Sequence, residues 1–286
     1  MTPSTQMAVS ESIGPEIRSP LVRIERLNKS YVQRRPISRA KLQVTALQDA
    51  SLTIDRGTTV ALIGESGSGK STLARCLALL EKPTEGEIWF EGRDILELAP
   101  QELFTVRNQI QMIFQDPASA LNPGMTALEI VAEPLKIQKR GSRAEQRDLA
   151  LGWLARVGLP SGSEQKRPME FSGGQRQRLA IARALVLAPR LLILDEALSS
   201  LDLANQEMIL KLLADLQREH SLTYLHISHD LRQVANFANE IAVMNEGRVV
   251  EQQPAAKLFA EPRNFHTREL LLAMPSLESI VLDRWA

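Results

Sequence analysis

Cysteine is nearly missing from this sequence: Cys76 stands alone. A single thiol excludes an intrachain disulfide and any metal cluster built on cysteine sulfur, and within an apolar helical segment it reads as a small buried residue. An excess of charge is missing too, with 34 Lys and Arg against 34 Asp and Glu. No global field therefore draws the chain toward nucleic acid or an anionic membrane. Apolar runs are short and interrupted by residues such as Arg75 and Lys211, so none approaches the roughly 18 residues of a spanning helix. Residues 1–20 lack a basic start followed by an apolar stretch, and their four Ser and three Pro predict a disordered leader rather than a secretory signal. These absences lead to the expectation of a soluble, intracellular protein with one good core and room for a second, smaller one.

What is present is organised around Thr58–Ser71. An apolar run, Val60–Ile63, enters a loop holding Gly64, Gly67 and Gly69 and leaves through Lys70, Ser71 and the helix-favouring stretch Thr72–Leu80. Gly64, Glu65, Ser66, Gly67, Ser68, Gly69, Lys70 and Ser71 fit the G-x-x-x-x-G-K-[ST] pattern. In that pattern glycines turn backbone N–H groups inward around an anion, and the new helix presents its unpaired donors to it. Lys70 would reach the β- and γ-phosphates, and the Ser71 hydroxyl would ligate Mg²⁺. A glycine-rich turn that binds nothing is the plain alternative. The flanking strand and helix favour a nucleoside triphosphate site.

Elsewhere the pattern alternates between strand and helix. Leu21–Leu27 alternates as a half-buried strand and is followed by Tyr31; the basic stretch 33–41 reads as a solvated loop, and Val44–Leu47 and Ser51–Ile54 read as two further strands. Glu87–Asp94 reads as a hairpin bent at Gly92, and Gln109–Phe114 as a buried strand stopped by the proline-bearing loop Gln115–Pro123. From Thr126 to Pro160 the period becomes helical, with a Ser142/Glu145 capping box and Ala150, Trp153, Leu154 and Val157 on one face. This predicts a mainly helical insertion between two halves of a nucleotide-binding sheet. After it come a helix opened by Ser172, Gly173, Gly174 and Gln175, a strand ending in Asp195, a helix over 206–219, and a second central strand over 222–227. Ile241–Met244 and Arg248–Glu251 form a hairpin about Asn245–Gly247, and the tail mixes helix and loop.

The chemistry-bearing residues lie at the ends of these elements. Asp195 follows four unbroken aliphatics, which suits a central parallel strand, and its carboxylate lands at the edge where open α/β sheets place ligands. It fits a metal-site residue, and Glu196 beside it fits a group that orients or deprotonates an attacking water. His229, just past the second strand, fits a γ-phosphate contact, whereas His220 and His226 read as structural. A glycine pair before a helix is often an ordinary turn. Here, however, one complete phosphate cradle already exists, and a second anion-binding helix start would serve a partner subunit's nucleotide.

With these motifs in this order, residues 21–253 resemble the nucleotide-binding subunit of ATP-binding cassette (ABC) transporters. The resemblance implies an α/β fold: a P-loop NTPase core of the RecA-like type with an antiparallel β subdomain and an inserted helical subdomain. It divides the chain into 1–20, a core first part over 21–115, the helical subdomain over 116–171, the core second part over 172–253, and an extension over 254–286. By analogy Tyr31 stacks on adenine, Gly64–Ser71 with Thr72 form Walker A, and Gln115 is the Q-loop glutamine at both metal and water. Phe171–Gln175 form the signature, with Phe where Leu is commoner; Asp195 and Glu196 form Walker B, Ser200–Asp202 the D-loop, and His229 the switch histidine. Asp202 thereby joins Ser172–Gln175 among the nucleotide-binding residues, and Ser71, Gln115 and Asp195 among those at Mg²⁺.

A narrower resemblance lies in Phe114–Pro123 and Glu133–Leu135, which look like the peptide and nickel importer branch. The tail is similar to that branch's His-Pro-Tyr-Thr extension but keeps only Thr267. The implied partners are two transmembrane permease subunits, docking by a cytoplasmic helix around Ala118–Met125, a sister or identical ATPase, and an extracytoplasmic substrate-binding protein. The implied place is the cytoplasmic face of the plasma membrane, and no nucleic acid partner is expected. Two other classes compete: a soluble cassette ATPase acting on DNA or ribosomes, and a module that binds ATP without hydrolysing it. Relatives of the first kind carry paired cassettes or coiled-coil insertions, and Glu196 and His229 argue against the second.

Overall fold

The computed structural model describes residues 19–34, 41–116, 120–199, 201–229 and 231–273. Residues 1–18 of the expected leader, 35–40 of the basic stretch, 117–119 of the proline-bearing loop, Ser200 and the last part of the tail lie outside the described residues.

In chain order the elements are β1 (Val22–Arg34), β2 (Lys41–Ile54), β3 (Thr59–Ile63), α1 (Lys70–Leu77), β4 (Glu85–Phe90), β5 (Arg93–Asp94), α2 (Pro100–Gln109) and β6 (Ile110–Ile113). Two helices follow, α3 (Ala127–Ile137) and α4 (Arg143–Arg156), then short 3-10 turns over Ser163–Gln165 and Pro168–Glu170. The second half holds α5 (Gly173–Leu185), β7 (Leu191–Asp195), α6 (Leu203–His220), β8 (Thr223–Ile227), α7 (Leu231–Phe237), β9 (Glu240–Asn245), β10 (Arg248–Pro254), α8 (Ala255–Ala260) and α9 (Phe265–Leu272).

The strands sort into two sheets. One is antiparallel, in the order β2-β1-β4-β5; the other has the order β10-β9-β3-β8-β7-β6, parallel except at β10. In β7 the unbroken aliphatics are explained by burial on both faces. Leu191 and Ile193 pack with α1 and the antiparallel sheet, while Leu192 and Leu194 pack with α5, α6 and the inserted helices. Each such side chain contributes about 1.5–3 kcal/mol by leaving water. Cys76 lies in the first of these cores, fully buried, and burial pushes its thiol up to about 11. A third cluster joins Ala61 and Ile63 to α7 and α8. Among the described residues, no helix is long and apolar enough to cross a membrane.

Three expectations are corrected. Val44–Leu47 and Ser51–Ile54 are not two strands but parts of the single strand β2, and β1 runs on past Tyr31. The apparent break is a bulge: Arg26 and Asp49 take left-handed backbone at φ 47 and 52, and side chains absorb the unpaired amides. Ser51 Oγ accepts from Arg26 N at 3.0 Å, and Asn28 Oδ1 accepts from Asp49 N at 3.1 Å. The basic stretch is correspondingly shorter as a loop, since Gln33, Arg34 and Lys41 belong to the strands. Helices α2 and α7 were not foreseen. For α2 the signal was present, in Pro100 at the first turn and Glu102 Oε2 accepting from Ala99 N at 3.3 Å.

The tail is anchored rather than loose where it is described. Glu251 of β10, 8% exposed, accepts from the backbone amides of Arg263 at 2.9 Å and Asn264 at 3.0 Å and from the Gln253 side chain. Burial alone would raise its pKa. The Thr267 hydroxyl and the two amides outweigh that and hold the carboxyl below its ordinary range. Thr267, kept from the branch motif, is fully buried at this joint.

Candidate nucleotide site

Because β3, β7 and β8 are parallel, the loops leaving them open at one edge of the sheet. The loop after β3 is held in shape by its glycines. Gly64 sits at φ 151, where a Cβ would lie 2.1 Å from Met244 O, and Gly69 sits at φ 103, where a Cβ would lie 2.5 Å from Ala46 O. Gly247 N closes the loop from behind by donating to Ser68 O at 2.9 Å. Glu65, Ser66 and Gly67 are exposed at its crest, and Ser68 is buried beneath them.

Lys70 turns back into this cradle. Its Nζ donates to Gly64 O at 2.9 Å, Glu65 O at 2.7 Å and Ser68 Oγ at 3.4 Å. Burial lowers its pKa, and the nearby Glu196 and Asp195 carboxylates oppose that shift. Ser71 donates from Oγ to Asp195 Oδ1 at 2.9 Å. Asp195 is buried, which raises its pKa despite the Ser71 hydrogen bond and the neighbouring Arg75 and Lys70 cations.

Glu196 is presented by an unusual backbone. It sits at φ 48, in the left-handed region that costs a non-glycine residue energy, and its N donates to Ile227 O at 3.1 Å. Its carboxylate meets two other expected site residues. Gln115 Nε2 donates to Glu196 Oε2 at 3.1 Å, and His229 Nδ1 lies 3.6 Å from the same oxygen. Glu196, His229, Ser228 and Ser199 help line a cavity of about 140 Å³ beside them.

A hard divalent cation fits the Ser71–Asp195 pair: both donors are oxygens, and one of them belongs to a buried carboxylate. Gln115, expected at the metal as well, contacts Glu196 here instead. Among the described residues no group of three or more His, Cys, Asp or Glu could hold a metal. A cation held by few protein oxygens and completed by phosphates is what Mg²⁺ prefers.

The remaining expected residues are placed as follows. Ser172 caps α5, accepting from Gln175 N at 3.3 Å, while Gln175 Oε1 accepts from Ser172 N at 3.0 Å. Ser172 and Gly173 are exposed; Gly174 is buried against Asn205, whose Oδ1 lies 2.8 Å from where a Cβ would stand. Asp202 caps α6 through Asn205 N at 2.9 Å and Asn205 Nδ2 at 2.7 Å, so its carboxylate is engaged within its own chain. Tyr31 lies on β1 with its hydroxyl bonded to Glu81 and near the partly buried Thr72 of α1.

Comparison with known proteins decides the family. A family model described as ABC transporter matches residues 47–199. The chain belongs to the ABC transporter family. This ABC ATPase binds ATP, and ATP hydrolysis is the family's activity. Dipeptide transport ATP-binding protein DppF of Escherichia coli (strain K12) is 42% identical over 91% of this chain and 78% of its own. Probable peptide ABC transporter ATP-binding protein y4tS of Sinorhizobium fredii (strain NBRC 101917 / NGR234) is 45% identical over 89% of this chain and 72% of its own. The ATP-binding cassette MJ0796, solved as a dimer in a post-hydrolysis state with ADP and Pi, superposes at TM-score 0.72 and is 33% identical, covering 85% of this chain and 100% of that one.

Two features around these expected residues of the ABC ATPase carry no motif in the sequence. In the sequence the Asn245–Gly247 turn reads only as a hairpin bend, yet Gly247 and Met244 form the back wall of the phosphate loop. Glu81, two residues before Pro83, gave no motif signal at all. Only its long-range bonds to β1 bring it into view.

Proposed function

We propose that this ABC ATPase drives an importer of peptides, dipeptides among them, as one of two cassettes arranged head to tail beneath two transmembrane permease subunits. The solute class is supported by the peptide and dipeptide relatives and by the Phe114–Pro123 loop. One observation carries the paired arrangement. Lys70, the Ser71–Asp195 pair and the Gln115–Glu196–His229 group gather at one sheet edge, whereas the side chains of Ser172 and Gln175 cap their own helix at an exposed start. That helix start is suited to a neighbour's nucleotide.

In this reading the loop amides and Lys70 hold the triphosphate, and Tyr31 lies against the base. Ser71 and Asp195 would hold Mg²⁺, which supplies charge neutralisation to the phosphates when bound. Glu196 takes the proton of the attacking water. Gln115 and His229 fix its carboxylate, and its left-handed backbone sets the direction from which it acts. The partner's α5 start closes over the γ-phosphate and contributes about 0.3–2 kcal/mol of favourable dipole interaction. Closure excludes bulk water, and loss of the bridging phosphate reopens the pair.

Gln115 also ties this chemistry to the membrane side of the assembly. A permease helix docks where the Gln115 loop joins the helical insertion; of the expected residues, Ala118 and Ser119 lie outside the described residues, while Leu121 is buried in the insertion's core and Met125 packs against it. Between α3 and α4 a groove of about 670 Å³, lined by Leu128, Lys136, Lys139, Arg143 and Arg147, offers that helix an apolar floor and a cationic rim. An extracytoplasmic binding protein delivers the solute, and the ATPase sits at the cytoplasmic face.

Co-purification with its membrane subunits and reconstitution in vesicles tests the reading. Glu196→Gln should keep ATP binding, lose phosphate release by roughly 10²–10⁴-fold and accumulate an ATP-bound dimer. ATP-dependent uptake of a labelled dipeptide should accompany native turnover. Near-native turnover by Glu196→Gln, or uptake of nickel but not dipeptide, would overturn the respective part.

A further inference from the structure

Glu81 lies just past α1, where the chain folds back so that Glu81 N donates to Arg75 O at 3.2 Å. From there its carboxylate gathers three groups. It accepts the Tyr31 hydroxyl of β1, and it faces Lys29 Nζ at 3.9 Å and Arg75 Nη1 at 3.7 Å. Lys29 is itself fixed, donating to Lys82 O at 2.7 Å, and its ammonium stands over the Tyr31 ring at 5.1 Å from the centroid. The Glu81 and Lys29 side chains are 24% and 16% exposed, so this cluster is shielded enough for its bonds to hold geometry.

A tyrosine on a strand keeps two torsional freedoms, and a ring that is to stack on a base must have both fixed. Here the hydroxyl is tied at one end by Glu81 and one face is covered by Lys29. A stacked base would take the opposite face. The anchor also spans two units: Tyr31 belongs to the antiparallel sheet, and Glu81 is joined to the helix that starts at the phosphate loop. Holding them together fixes the distance between a base on Tyr31 and phosphates on Lys70.

We propose that Glu81 is a positioning residue for the base of the bound nucleotide, acting through the hydroxyl of Tyr31. The proposal rests on the reading of Tyr31 as the base platform. It assigns to the Tyr31 hydroxyl, and not only to its ring, a part in nucleotide affinity. Aromaticity alone would make phenylalanine an equal substitute at this position; the Glu81 anchor makes it an inferior one.

Binding of ATP and of inorganic tripolyphosphate to the full chain separates base from phosphate recognition. Tyr31→Phe and Glu81→Ala should each weaken ATP binding roughly 3- to 10-fold, and the double variant should be no weaker than either. Tripolyphosphate affinity should not change in any of them. Glu81→Gln keeps an acceptor oxygen and should recover most of the loss. If Tyr31→Ala weakens ATP binding while Tyr31→Phe and Glu81→Ala bind it as the native chain does, the anchor is refuted and the base platform stands. If Tyr31→Ala also binds ATP normally, the platform fails and the proposal with it. If Glu81→Ala weakens tripolyphosphate and ATP alike, Glu81 is a brace for α1 and the proposal is overturned.

Discussion

The hydroxyl of Ser71, one residue beyond the phosphate-loop lysine, donates to Asp195 Oδ1 across 2.9 Å, joining the start of α1 to the end of β7. If this pair holds Mg²⁺, Ser71→Ala and Asp195→Asn should each weaken Mg·ATP binding by roughly 10- to 100-fold. ATP in excess chelator should bind all three proteins alike. Calorimetric titration with and without Mg²⁺ makes the comparison, and equal losses under both conditions would remove the metal role.

Two glycines of the same loop should respond differently to alanine. At Gly64 the new Cβ meets Met244 O at 2.1 Å, a backbone atom that cannot step aside, whereas at Gly67 nothing lies within 4 Å and only φ 82 is strained. Gly67→Ala should cost about 1–2 kcal/mol. Gly64→Ala should lower the Tm further and abolish ATP binding. Thermal denaturation with and without ATP ranks the two, and the reverse order would contradict the steric account.

A steric contact also predicts a rescue. Alanine at Gly174 would place its Cβ 2.8 Å from Asn205 Oδ1, and Asn205 in turn is held by Asp202. Gly174→Ala should lower the urea midpoint, and adding Asn205→Ala should recover part of that loss by removing the obstructing amide. Strictly additive losses would show that the two positions do not communicate.

The Glu251 joint should make the tail sensitive to acid. Its carboxyl titrates below the ordinary value of 4.5 in the folded chain, so its ionised form binds the fold better than the unfolded chain. The stability it contributes is present above pH 4.5 and is lost as the pH falls through the lower, folded value. Hydrogen exchange at Arg263 and Asn264 should therefore be slow near neutrality and accelerate in acid. In Glu251→Gln it should be fast at both, and equal protection in the two proteins at neutral pH would dismiss the anchor.

Much of this is legible in the sequence. The fold class, the phosphate loop and the strand that ends in Asp195 were legible because each depends on local pattern: apolar runs, glycine spacing and strand-to-helix changes. The β1–β2 bulge was not, because Arg26 and Asp49 adopt left-handed backbone only when Ser51 and Asn28 take up their amides from across the strand pair. The mutual contacts of Gln115, Glu196 and His229 come from three separate stretches. Motif order implied their roles, but only the folded sheet brings two of them to the same oxygen. The functions of Glu81 and Glu251 were invisible for a simpler reason: an isolated glutamate in a sequence carries no spacing to read.

The phosphate loop is wedged against Ala46 on one side and the Met244–Gly247 turn on another, with Gln48 N donating to Gly247 O at 2.9 Å across the gap behind it. A peptide copied from the loop and its helix would therefore lack the walls that shape it, and grafting the motif alone onto another scaffold would transplant letters without their mould. Substitutions that shift the backbone at Ala46 or disturb the turn belong, for the purpose of reading natural variants, with changes in the loop itself.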